Sequence, residues 1–166
     1  MIIGDGYVKD IIQQLNSRSA FCVGDDTLQP KELTRLQKSL TQIKHPLWHT
    51  PIPQNLGEAI HGKLKADQWQ SAIEFDVTTA ITYVWSHDRP NFKDEEHVQW
   101  CKMLIEATIL LATAIQWATS YHMSKMHAAQ YMHYMVAYLD ILKKLYPTIS
   151  WRPNHHATLH IGPNLL

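Results

Sequence analysis

The chain has 166 residues, 45 % hydrophobic and 18 % charged, with fifteen basic and fifteen acidic side chains. That length suits one domain with a real core, so 1–166 reads as a single α-helical domain. The neutral balance gives no overall field to draw the protein to nucleic acid or anionic lipid, and it lacks the basic excess typical of an autonomous DNA-binding domain.

Helical spacing runs through nearly the whole chain. Val8, Ile11, Ile12 and Leu15 form a short apolar stripe. Leu33, Leu36, Leu40 and Ile43 form a second, opened by Pro30 at a favourable first helical position. Residues 45–53 are proline-punctuated and read as an extended link. Asn55 with Glu58 resembles an N-terminal capping pair, and the helix that follows buries Trp69, Ala72, Ile73, Val77, Ala80 and Val84. After a turn around Pro90, Asp94 reads as an N-cap with Glu95 and Glu96 in the first turn. The helix it opens is apolar almost all round from Met103 to Ala118 and is expected at the centre of a bundle. Its charges, Lys102 and Glu106, argue against a membrane span, which needs ~20 apolar residues with few or no charges. From about Ser124 to Tyr146 a last helix buries Tyr131, Met132, Met135, Leu139 and Leu142. Pro147 and Pro153 bracket an irregular C-terminal segment, 147–166, whose Trp151, Leu159, Ile161, Leu165 and Leu166 are apolar enough to dock it. No alternating strand pattern appears. The fold expected is an all-α bundle of five or six helices.

Motif chemistry is sparse. There is no phosphate-binding glycine loop, no GxSxG and no CxxC; Cys22 and Cys101 lie far apart and read as reduced thiols in an intracellular, nuclear or cytoplasmic protein. No secretory leader is expected. Eleven histidines are many for this length, and their protonation makes the chain positive below about pH 6. His155, His156 and His160 form an HHxxxH block; on a helix, positions 156 and 160 would share a face, as paired zinc ligands do. The plainer account is that these imidazoles bond to backbone and pack the C-terminal segment. Glu58 and His61 make an ExxH, and Asp94 and His97 a DxxH, the pairs a di-iron carboxylate bundle would use. Further inward carboxylates could come only from Glu106, Glu74 and Asp76, and capping accounts for Asp94 and Glu58 without a metal. His122, Met123, Met126, His127, Met132, His133 and Met135 are soft ligands in one run, yet an apolar methionine stripe with exposed histidines explains them. Lys63, Lys65 and Trp69 form a small basic and aromatic group that could meet phosphates, though two lysines give little affinity.

Three segments in order carry a resemblance: Asp25–Leu33 (DDTLQPKEL), Asn55–Trp69 (NLGEAIHGKLKADQW) and Leu145–Leu166 (LYPTISWRPNHHATLHIGPNLL). Over residues 21–166 the chain is similar to proteins encoded by fungal CACTA-type DNA transposons. The resemblance implies an RNase-H-like, metal-dependent transposase, of which this stretch is the helical portion between the second and third catalytic acids. Asp67 falls near the second acid; the third is expected beyond Leu166, and residues 1–20 do not share the likeness. Two-metal cleavage needs several acids, so no catalytic residue is assigned and no cofactor is expected, although a divalent metal fits the histidine sets. The resemblance implies a non-catalytic helical domain in nucleic-acid-associated assembly or self-association, with DNA, a transposon protein or a second copy as partner. The other reading is a repurposed enzyme or a binding protein for metal or a small molecule, with a His, Tyr and Trp-lined pocket.

Overall fold

A computed structural model describes residues 30–47, 70–86, 95–148 and 153–164 of the chain. Among the described residues every regular element is a helix, so the protein is all-α. Packing divides the chain into two compact units, Met1–Lys93 and Asp94–Leu166.

In the first unit, α1 (Pro30–Gln42) starts at a proline whose missing N–H costs nothing at that position. Leu36 and Leu40 bury one face, with Ser39 beside them. A π-helical turn, Ala72–Asp76, runs without a break into α2 (Val77–Ser86). There the Val77 N–H reaches back to the Ala72 carbonyl, five residues away rather than four. The Thr78 hydroxyl likewise donates to the Ile73 carbonyl at 2.6 Å. The buried residues are Ala72, Asp76, Ala80 and Val84, and beside them Ile73, Val77, Ile81 and Trp85. Each column repeats every fourth residue. On a regular α-helix such a column drifts by ~40° per step. The wider π turn absorbs part of that drift and keeps both columns buried, and α2 packs on α1.

In the second unit, α3 (Glu95–Ala118) and α4 (Lys125–Leu145) pack along their lengths as a helical hairpin. Ala128, Tyr131, Met135, Tyr138, Leu142 and Leu145 are buried on α4 in a strict three-four alternation, the spacing of a coiled-coil seam. The helix expected from about Ser124 is capped by that residue: its hydroxyl accepts from the His127 N–H at 3.3 Å. Lys143 and Lys144 sit in the last turn, where the helix dipole favours cations. The buried Thr108 hydroxyl is satisfied by the Leu104 carbonyl at 2.7 Å.

α3 is long and apolar enough to cross a membrane, with 39 % of its apolar window buried. Its exposed positions are polar, Glu95, Glu96, Gln99, Lys102, Glu106 and Gln116, apart from Ile109 at 44 %. One expectation changes: the segment expected to be irregular forms a helix, α5 (Pro153–Asn164), packed on α4. Pro153 opens that helix instead of preventing it. The buried Thr158 hydroxyl donates to the His155 carbonyl at 2.6 Å, and the buried Tyr131 hydroxyl of α4 donates to the Thr158 carbonyl at 3.1 Å. Gly162 meets Met132 so closely that no Cβ would fit without displacing it. Pro163 sits in the last turn, where the helix is already ending.

Candidate functional site

A groove of about 540 Å³ runs between α4 and α5. Val136 and Leu139 form its apolar floor, Asp140 and Lys143 contribute from α4, and His155 and His156 from α5. The three histidines of the C-terminal block thus take two different roles. His155 is 3 % exposed and belongs to the packed side of α5. His156 and His160 are exposed and one helical turn apart, their Nε2 atoms 2.9 Å from each other and their ring planes at 77°. The HHxxxH spacing is therefore realised on a helix, but as a pair and not as a trio. Among the described residues no three His, Cys, Asp or Glu side chains come together in a way that could hold a metal ion.

The first unit contains a second polar centre that sequence reasoning passed over. Asp76, 1 % exposed, lies on the π turn with its Oδ1 3.4 Å from His45 Nδ1. That separation is long for a hydrogen bond and suits an ion pair when the imidazole is protonated. The His45 ring also meets Phe75 edge-on, with centroids 6.1 Å apart. One turn away, Gln70 donates to Glu74 at 3.0 Å, while burial pushes the Glu74 carboxyl above its ordinary range. In the sequence Asp76 stands out only as a spare carboxylate for a di-iron site. The signal that could have found its partner is the four-residue period that places Asp76 in line with Ala72 and Ala80.

The remaining sequence candidates are dispersed. Glu58, His61, Lys63, Lys65, Asp67, Trp69 and Asp94 lie outside the described residues. His97 stacks on Trp100 at 5.9 Å, with its Nε2 3.6 Å from the buried Cys101 thiol, so it serves the packing of α3. Glu106 is exposed on that helix, and His97 belongs to no group of three or more His, Cys, Asp or Glu among the described residues that could hold a metal ion. In the soft-ligand run, Met135 is buried and His133 exposed, as their positions predict. His127 is held by Ser124 Oγ at 2.6 Å and by the edge of Trp117. Burial pushes the Tyr131 and Tyr138 phenols well above their ordinary range, so both remain neutral donors. Comparison with protein-family models, curated proteins and solved structures finds no match.

Proposed function

We propose that the chain is a non-catalytic, transposase-derived helical domain that works by self-association, in assemblies that include nucleic acid. The observation that carries this reading is a set of large apolar side chains left exposed on the α3–α4 hairpin. Ile109 on α3 and Val136 on α4 are each 44 % exposed, and Tyr121 and Met126 flank the hairpin turn at 94 % and 57 %. A partner that covers these side chains would remove apolar surface from water, which favours association. A second copy is the partner of choice because net charge is zero, so copies do not repel one another. DNA enters through the transposon resemblance and through Lys63, Lys65 and Trp69. Sedimentation of the purified chain tests the reading: a dimer or larger species should form at micromolar concentration, and Ile109→Lys with Met126→Lys should shift it to monomer. A wild-type chain that stays monomeric throughout overturns it. Salt-dependent binding to duplex DNA, weakened by Lys63→Ala with Lys65→Ala, tests the nucleic-acid arm.

The α4–α5 groove favours a second reading, a site for a small, largely apolar ligand. Its volume falls within the ~300–1,000 Å³ of ordinary ligand pockets. Native mass spectrometry should then find an organic molecule that Val136→Trp expels.

A further inference from the structure

The two exposed histidines of α5 bring their Nε2 atoms close enough for one ion to meet both. These atoms are 2.9 Å apart, within hydrogen-bonding distance, and the ring centroids are 4.6 Å apart. A straight N–H···N bond of that length would put the centroids about 5.2 Å apart, because each ring nitrogen lies about 1.15 Å from its centroid. The shorter separation means that the contact is bent, with at least one ring axis turned off the line between the nitrogens. For a symmetric pair, the axes cross about 2 Å from each nitrogen at an angle of about 95°, and ~2.0–2.1 Å is the usual distance from a metal ion to a histidine nitrogen.

The angle decides which metal. Square-planar or tetragonal coordination holds neighbouring ligands at ~90°, which at these bond lengths sets the two nitrogens ~2.9 Å apart. A tetrahedral zinc ion would set them ~3.3 Å apart. Copper(II) also stands highest in the affinity order of divalent first-row metals. We infer that His156 and His160 form a two-point site for copper(II), with nickel(II) as the weaker fit. Spacing of four residues on one helix holds the rings on the same face before the ion arrives, so little side-chain freedom remains to be lost on binding. The ion takes one Nε2 lone pair from each ring. The hydrogen that bridges them moves to the Nδ1 of its own ring through solvent, so that both imidazoles bind neutral. No third protein ligand joins among the described residues, so water completes the coordination. Asp140 and Lys143 line the groove that His156 also borders; the carboxylate favours the cation there and the ammonium opposes it.

The site is independent of the assembly reading, and its test uses the full chain. Titration with copper(II) sulfate, followed by electron paramagnetic resonance, should show one tight ion per chain with nitrogen hyperfine structure from two imidazoles. His156→Gln and His160→Gln, both at exposed positions, should each weaken that binding at least tenfold while circular dichroism stays unchanged. His133→Gln, at a lone exposed histidine on α4, should leave it intact. Zinc(II) should bind at least tenfold more weakly than copper(II). Wild-type copper affinity in both single variants, a single-nitrogen spectrum in the wild type, or zinc binding as tight as copper would overturn the assignment.

Discussion

Replacing Gly162 by alanine sets two known effects against each other at the seat of α5. In an ordinary helix interior the change favours folding by ~1 kcal/mol, because glycine loses more backbone freedom than alanine. At Gly162 the new methyl would fall inside van der Waals contact with Met132 Cγ and Sδ. Overpacking of that kind costs ~1–3 kcal/mol. Met132 is only partly buried and its side chain is flexible, which keeps the cost in the lower half of that range, at ~1.5–2 kcal/mol. Gly162→Ala alone should therefore destabilise slightly, by ~0.5–1 kcal/mol, or ~1–4 °C for a chain of this size. In a Met132→Ala background the obstacle is gone, and the same change should stabilise by ~1 kcal/mol. The coupling between the two sites is then ~1.5–2 kcal/mol, well above the ~0.5 kcal/mol scatter of independent sites. Urea denaturation of the four proteins, followed by far-ultraviolet circular dichroism with slopes compared, measures it. Additive effects, or a stabilising Gly162→Ala in the wild-type background, would show that α5 does not rest on Met132.

Tyr131→Phe should cost ~1 kcal/mol, since it removes the hydroxyl that donates to the buried Thr158 carbonyl; an unchanged melting temperature would contradict that contact. Glu74→Gln should stabilise at neutral pH by less than ~1 kcal/mol, because the position is partly exposed. The sign follows from the raised carboxyl: its proton is held more tightly when folded, so its contribution favours folding below the ordinary 4.5 and is lost as pH rises through the folded value. Equal gains at pH 7 and at about pH 3.5 would show that the shift is not the cause. Incubated with transposon-end DNA and magnesium or manganese, the chain alone should not cleave; cleavage abolished by Asp67→Asn would show that its metal-binding acids are sufficient.

The helical class was legible because its signal is local and repeated. Leu36 and Leu40, or Tyr131, Met135 and Leu142 on α4, are buried where a period near 3.6 places them, whereas Met132 and Leu139 are only partly buried and Tyr138 takes the seam position between them. Ser124 caps α4 because its type and position both fit. What escaped needs tertiary information. Two prolines and a glycine argued against a helix over 153–164, but Pro153 falls at the first position and Pro163 in the last turn, where each is tolerated. The exposure of Ile109 on α3 was hidden because an apolar residue reads the same whether a neighbour covers it or not. The histidine block was visible as a motif, yet its split into one buried ring and an exposed pair depended on the phase of a helix that the sequence argued against.

The π turn offers a direct test of whether Asp76 is there for packing or for position. A π turn is an α-helix with one residue too many, and such turns occur frequently at functional sites. Here the surplus brings Asp76 into the buried column beside His45. Phe75 is the natural residue to remove, being 42 % exposed and touching His45 only edge-on. Deleting it should leave the Val77 N–H on the Ala72 carbonyl, now four places back in the shortened chain, and give an unbroken α-helix through Ser86. Ala72 and Ile73 would then stand three places, not four, before Asp76 and Val77, ~60° short of a full turn, so both columns would be stepped at the junction unless the preceding segment turns to compensate. If the extra residue exists to keep both columns in line, the deletion should destabilise by several kcal/mol, as a mispacked core does. It should do so equally with His45 present or replaced by glutamine. If the turn instead stores strain to hold Asp76 against His45, the deletion should be neutral or stabilising, as relief of local strain would be. The four-residue period of the buried columns favours the first outcome, and a stabilised Phe75-deleted chain would refute it.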